Sequence, residues 1–227
     1  MHTPAACGAG SRVTKGINMD DTRIAELAPY VYGGRLAPGY GDHYLFLVGV
    51  DDCHSILHHL LPQEPMALKL NMFGYDDDEL NGDIVALMKD PNVRVQGTLD
   101  RSQAGGVHER VILSQNVAAD PEFYNSFAVG QSATHQISHT KGGVMVGLGI
   151  GFEGSMNWSA SGEGTGINLK PGPAVPGFKA QNNTFLVSTN PVFLARFGAR
   201  LDAEHITALQ QQAARSTVPT AGVVGSA

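Results

Sequence analysis

Between two short polar clusters, residues 142–152 run as an apolar stretch broken by glycines, and no other segment limits the fold as sharply. A run of this length with glycines near its middle reads as a buried strand, a turn and a returning buried strand. The flanks then come side by side at one end of the pair. They carry His139 and Lys141 before it, Ser155 and Asn157 after it. Residues two apart on a strand project from the same face, so each pair is expected to point together into one site.

The rest of the chain alternates strand and helix patterns. Residues 44–50 form a strand-length apolar run, and Asp51-Asp52 can cap a helix over 53–61 through carboxylate acceptors. Residues 67–73 read as a second strand. The acidic run Asp76-Asp77-Asp78-Glu79 opens a helix to about Lys89, where its charge suits the positive end of the helix dipole. Residues 93–99 form a third strand, 127–129 a short one and 184–188 another. Asn190-Pro191 starts the last helix, with Phe193, Leu194, Phe197, Leu201 and Ile206 as its apolar side. Residues 20–32 can hold a short helix, 33–41 a loop, and His108-Glu109 read as surface. The irregular glycine- and proline-rich stretch 162–177 is long enough either to close over a substrate or to be a plain excursion. The expected fold is one α/β domain over residues 21–213, a mixed sheet sandwiched between helices, with flexible tails at 1–20 and 214–227.

With 227 residues, 42% hydrophobic and 16% charged, the chain can bury a substantial core. A net charge of -6 and a pI near 5.8 argue against broad nucleic-acid binding through bulk charge and leave only a local basic cleft for that purpose. Cys7 and Cys53 show no CxxC spacing, so neither a disulfide framework nor a zinc site follows. His54 and His58, four apart on one helical face, have a spacing compatible with metal binding, but no HExxH pattern and no third ligand is evident. They read as solvated or capping histidines; no metal and no cofactor is assigned. No run approaches 18 apolar residues and no basic-then-apolar leader opens the chain, so a soluble cytoplasmic protein is expected.

The order His139-Thr140-Lys141, then Gly154-Ser155-Met156-Asn157-Trp158-Ser159, resembles the HxK and GSxN signature of the phospholipase D superfamily. The resemblance extends back into residues 98–103 and forward into 181–188, and so spans roughly residues 40–205. It departs at two positions: Val146 stands where the family pattern has Asp, and Asn183 where a Glu often follows.

The resemblance implies a metal-independent phosphodiesterase. In this reading His139 is the nucleophile and forms a phosphohistidine that water opens. Lys141 supplies charge to the phosphate oxygens, and Ser155 and Asn157 supply neutral donors. Ser102 and Gln103, beyond the end of the third strand, are expected to border the cleft with Asn183; Trp158 can stack on a base there, although an aromatic beside a core strand is more often packing. Nucleic acid is the favoured substrate, making the chain a nuclease. The alternatives are a phospholipid headgroup hydrolase and a non-catalytic phosphate-binding or scaffold homologue, the latter motivated by Val146 and Asn183. A single HxK lacks a second imidazole to protonate the leaving oxygen, so a homodimer is expected to complete the site, with an interface along the sheet edge or face near residues 144–150. His135 is read as a flanking residue and, with His108, as a substitute acid in a monomer.

Overall fold

Polar and apolar residues alternate along the central strands, and that alternation sets the two faces of the sheet. The computed structural model describes residues 22–216 apart from 38, 104, 119–124, 135, 168, 170–176 and 178. His135, half of the 162–177 stretch, and the expected tails up to residue 20 and beyond 216 lie outside the described residues. The strands are β1 His43–Leu47, β2 Ala67–Met72, β3 Tyr75–Asp76, β4 Arg94–Asp100, β5 Asn125–Gly130, β6 Lys141–Met145, β7 Ile150–Gly154, β8 Trp158–Ser159 and β9 Thr184–Ser188. The helices are α1 Thr22–Ala25, α2 Cys53–Leu60, α3 Asp78–Lys89, α4 Val107–Ala118, α5 Ala160–Glu163 and α6 Pro191–Ser216.

Seven strands form one mixed sheet in the order β1-β9-β7-β6-β2-β4-β5, and β3 pairs with β8 apart from it. β2, β4 and β5 run parallel, while β6, β7, β9 and β1 join by antiparallel pairs. Leu68, Leu70, Met72, Val95, Leu99 and Phe127 belong to a core cluster that includes residues of α2 and α3. The intervening Lys69, Asn71, Gln96, Thr98 and Ser126 face α6 and are polar. Lys69 Nζ lies 2.6 Å from Asp202, and Gln96 donates to the same carboxylate at 3.0 Å. His205 joins Thr98 at 3.2 Å and Ser126 at 2.8 Å, and Asn71 donates to Glu204. Period-two alternation thus yields a sheet covered on both faces, one by apolar packing and one by a hydrogen-bonded layer. This is the mixed sheet between helices that the sequence pattern predicts.

Local capping explains the helix starts. Asp52 caps α2 by accepting from Ser55 N at 3.0 Å, and Asp77 caps α3 by accepting from Leu80 N at 2.8 Å. Three details differ from expectation. The helix α4 covers His108 and Glu109, and Glu109 is buried rather than on the surface. Ile206 is 54% exposed, so it is no part of the packed side of α6. The helix α6 also runs to Ser216, and Arg215 donates to Val129 O at 2.8 Å.

The strand-turn-strand reading of residues 142–152 holds: β6 and β7 pair from Gly142 opposite Glu153 to Met145 opposite Ile150. β6 is the middle strand of the seven, and Val144, Met145 and Ile150 lie in the interior. The turn joining β6 to β7 sits at the far end of the strands from Lys141. Residues 144–150 therefore form neither a sheet edge nor a face beside the motif, and the interface expected there is corrected.

That far turn has its own anchor. Glu64, 2% exposed, accepts from Met66 N at 2.7 Å, Ala67 N at 2.8 Å, Gly147 N at 2.9 Å and Leu148 N at 3.1 Å. One carboxylate thus ties the start of β2 to the β6–β7 turn. Val146, the position where the family pattern has Asp, is in this turn, and its N–H donates to Ala67 O at 2.8 Å.

Candidate active site

The strand registers bring one end of the sheet together: Met72 of β2 is paired with Lys141 of β6, Leu99 with Met72, and Gly154 of β7 with Phe185 of β9. Continuing the β6–β7 register sets Lys141 opposite Gly154, so the GSxN segment emerges beside the HxK segment. Ser102 and Gln103 follow β4 at the same end, and Asn183 precedes β9 there.

His139 lies in the extended segment before β6, not on the strand, and is exposed. Lys141 is the first residue of β6 and is 4% exposed. What unites them is Phe73, immediately after β2. The His139 ring is 4.5 Å from the Phe73 ring at 57°, and Lys141 Nζ lies 5.0 Å from the same ring centroid. A cation against an aromatic face is held by the ring quadrupole. Lys141 Nζ also donates to His139 O at 2.9 Å, and burial lowers its pKa below the usual lysine value.

Gly74, the next residue, serves the other half of the site. A Cβ there would come within 2.9 Å of Asn157 Cγ, so glycine is what lets the Asn157 amide approach the chain. The Asn157 Oδ1 is buried and meets no hydrogen-bond partner among the described residues. Ser155 Oγ donates to Asn183 Oδ1 at 3.1 Å and accepts from Thr184 N at 3.1 Å. Asn183 Nδ2 in turn donates to Gly162 O at 3.0 Å and Gln181 Oε1 at 3.1 Å. With both amide hydrogens engaged, Asn183 braces Ser155 against α5.

The Ser102 turn is linked to the HxK segment through Asp100, which is 0% exposed. Its carboxylate accepts from Ser102 N at 2.8 Å, Ser102 Oγ at 2.6 Å and Ser138 N at 2.6 Å, and Gln103 donates to Ser102 Oγ at 3.3 Å. Ser138 also joins Asn71, whose amide reaches Glu204 of α6.

Trp158 takes the packing alternative, and its assignment to the substrate site is corrected. It is 1% exposed, with its ring 5.4 Å from Tyr75 and 6.4 Å from Phe152, so it is a core residue and no base can stack on it. His54 also differs from expectation. Instead of being solvated it is 4% exposed, with Nδ1 2.5 Å from Glu163 Oε2 and 3.7 Å from Asp77 Oδ2, and Nε2 2.8 Å from Glu79 Oε2. Burial opposes its charge, but the hydrogen bonds the protonated ring donates to Glu163 and Glu79 overcome it and push His54 up to about 9. Burial likewise raises Glu163. The contact with His54 works against the rise of Glu163, so the two groups are coupled and titrate as a pair.

Gly74 and Ser138 carry no signal for this site in the sequence, since strand pairing brings them in. Phe73 is visible there only as the end of the β2 pattern, and Asp100 only as part of the 98–103 stretch.

No family model matches the sequence, and no curated protein is significantly similar to it. Solved structures do match. NucT from Helicobacter pylori aligns with a TM-score of 0.54 at 13% identity, covering 73% of this chain and 96% of NucT. Nuc from Salmonella typhimurium, a phospholipase D family member, gives 0.50 at 12% identity, covering 73% of this chain and 95% of Nuc. Phosphatidylserine synthase from Haemophilus influenzae gives 0.50 at 10% identity, covering 71% of this chain and 36% of the synthase. The mixed sheet and its helical layers are shared with these structures, and the chain has the phospholipase D-like fold.

Proposed function

We propose that this chain is a metal-independent phosphodiesterase of the phospholipase D type that acts on nucleic acid through His139. The observation that carries the reading is the placement of the His139 ring and Lys141 Nζ against one side chain, Phe73, at the end of the sheet where Ser155 and Asn157 also emerge. A ring nitrogen of His139 attacks phosphorus, the bond to the leaving oxygen breaks, and that oxygen takes a proton from a second imidazole. Water then adds to phosphorus as the P–N bond to His139 breaks, and its proton goes to the second imidazole, which had given one up in the first step. Lys141 balances charge on the phosphate oxygens, and Asn157 presents its amide to them. The second imidazole is His139 of an identical subunit, the two copies meeting at the end of the sheet that presents the motif. Asn183 acts by holding Ser155, while Ser102 and Gln103 border the substrate path.

Nucleic acid is favoured over lipid because the chain matches NucT and Nuc over nearly their whole length but only about a third of the phosphatidylserine synthase. Among the described residues no helix is long and apolar enough to cross a membrane. A non-catalytic phosphate-binding role is the second reading, favoured by the burial of Lys141 and its bond to the His139 carbonyl. Incubating the pure protein with labelled DNA, RNA and phosphatidylcholine in EDTA separates these. Cleavage of DNA or RNA by wild type and none by His139→Asn, with a labelled acid-labile adduct trapped by alkaline quench, is the expected result. Activity wholly lost on chelation from a protein that stays folded, and restored by a divalent ion, refutes the mechanism. Absence of any adduct, with His139→Asn equal to wild type on all substrates, favours the non-catalytic role.

A further inference from the structure

The cluster around His54 is built from three distant segments and is separate from the His139 chemistry. His54 comes from the first turn of α2, Asp77 from the cap of α3 and Glu163 from the end of α5. All three are buried, at 4%, 9% and 0% exposure. One donor atom from each lies within 4.8 Å of the others. Ligand atoms about 2.0–2.2 Å from a tetrahedral zinc ion stand roughly 3.3–3.6 Å apart. The 3.7 Å between His54 Nδ1 and Asp77 Oδ2 already meets that spacing, and the 2.5 Å to Glu163 needs to widen by about 1 Å.

Two further features point to a cation. Glu163 Oε1 is fully buried and meets no hydrogen-bond partner among the described residues, which is costly for a carboxylate oxygen unless a ligand completes it. Asp77 spends Oδ1 on Leu80 N and keeps Oδ2 toward His54. Beyond the ring, Glu79 accepts from Nε2 at 2.8 Å, the outer carboxylate that fixes the ring orientation and raises the basicity of a metal-bound imidazole.

We infer that His54, Asp77 and Glu163 bind one first-row divalent cation, with zinc as the leading candidate, and that Glu79 orients His54 for it. One nitrogen and two or three carboxylate oxygens suit zinc better than the all-oxygen sites of magnesium or calcium. The cation replaces the proton between His54 and Glu163 and joins α2, α3 and α5. Its role is structural: α5 carries the Gly162 carbonyl that receives Asn183, and the side-chain partners of His54 are Asp77, Glu79 and Glu163 rather than His139 or Lys141. The side chain of Glu79 is 65% exposed and marks the solvent side by which the ion enters. This inference does not depend on the proposed phosphodiester chemistry.

The full-length protein is stripped with chelator, dialysed and titrated with zinc, with binding followed by calorimetry and stability by thermal unfolding; cobalt supplies a visible spectrum for the ligand geometry. One equivalent of zinc is expected to bind and to raise Tm by roughly 5–10 °C at a hundredfold excess over Kd. Glu163→Gln should abolish the shift. Glu79→Gln, altered at the surface and so able to fold even if Glu163→Gln does not, should weaken binding about 10- to 100-fold. Absence of zinc binding overturns the inference. So does binding that stays unchanged in both variants, which assigns the ion to surface histidines such as His58 or His108. Phosphodiester cleavage by the stripped, folded protein leaves the inference standing, because the readouts are stoichiometry and Tm.

Discussion

Replacing Glu64 by Ala separates the far turn of the β6–β7 hairpin from the chemistry at its other end. The carboxylate accepts from the N–H groups of Met66, Ala67, Gly147 and Leu148. Met66 and Gly147 are exposed, so water replaces much of what they lose, whereas Ala67 and Leu148 are half-buried. A buried donor left unpaired costs about 1–3 kcal/mol. Two such donors, with the exposed pair compensated, predict a loss of about 3 kcal/mol, equivalent to roughly 6–12 °C in Tm for a chain of this size. Five residue steps at about 3.3 Å place the turn roughly 16 Å from Lys141, so the turnover number of the folded protein should stay within about twofold of wild type. Urea unfolding gives the first quantity and initial rates at a temperature well below Tm give the second. A stability loss under about 1 kcal/mol refutes the anchoring role. Unchanged stability with turnover falling to the level of His139→Asn would falsify the separation of turn and site, and would restore significance to Val146.

The remaining predictions concern the site more directly. Lys141 acts as a cation, so activity should fall as pH rises through its pKa; because burial lowers that pKa, the alkaline limb should lie below the usual lysine value of 10.5 and move upward in Lys141→Arg. An alkaline limb identical in the two proteins removes Lys141 as its source. Trp158→Ala should cost about 3–5 kcal/mol of stability as a buried aromatic truncation, and oligonucleotide should leave the fluorescence of the single tryptophan unchanged. Quenching by base stacking on addition of substrate contradicts its core placement. Light scattering and sedimentation at micromolar concentration should give a dimer; a strictly monomeric protein with full activity refutes the shared site and turns attention to His108 or His135 as the acid.

The parts of the fold that were readable from sequence are those governed by short-range rules. The strands β2, β4, β6, β7 and β9 announce themselves by period-two or continuous apolar runs, and the caps of α2 and α3 by carboxylates one residue before the helix. Helix α4 escaped because no capping residue precedes it and its apolar residues do not form a marked stripe. The sequence leaves Trp158 open between base stacking and packing because its burial depends on β3 crossing to pair with β8, a contact between segments far apart in sequence. His54 shows the same limit: its partners Asp77 and Glu163 come from the cap of α3 and the end of α5, and no spacing rule reaches them. The pairing of His139 with Lys141 was anticipated from strand geometry, yet it arises from a shared aromatic neighbour after the chain has left β2.

The position of β9 bears on the order in which this molecule assembles. β1 has one strand neighbour in the large sheet, and it is β9, with His43 paired to Ser188 and Leu47 to Thr184. Strand β9 is also what joins β1 to β7, so the strand encoded first finds its place only after the strand encoded last has formed. Contacts so remote in sequence close slowly, because the loop entropy is lost before the pairing returns it. Helix α2 follows β1 directly, so the seating of His54 between Asp77 and Glu163 should be among the late folding events. Mutations in β9 should then retard refolding more than equally destabilising changes in the local β6–β7 hairpin, if closure of β1 onto β9 limits the rate.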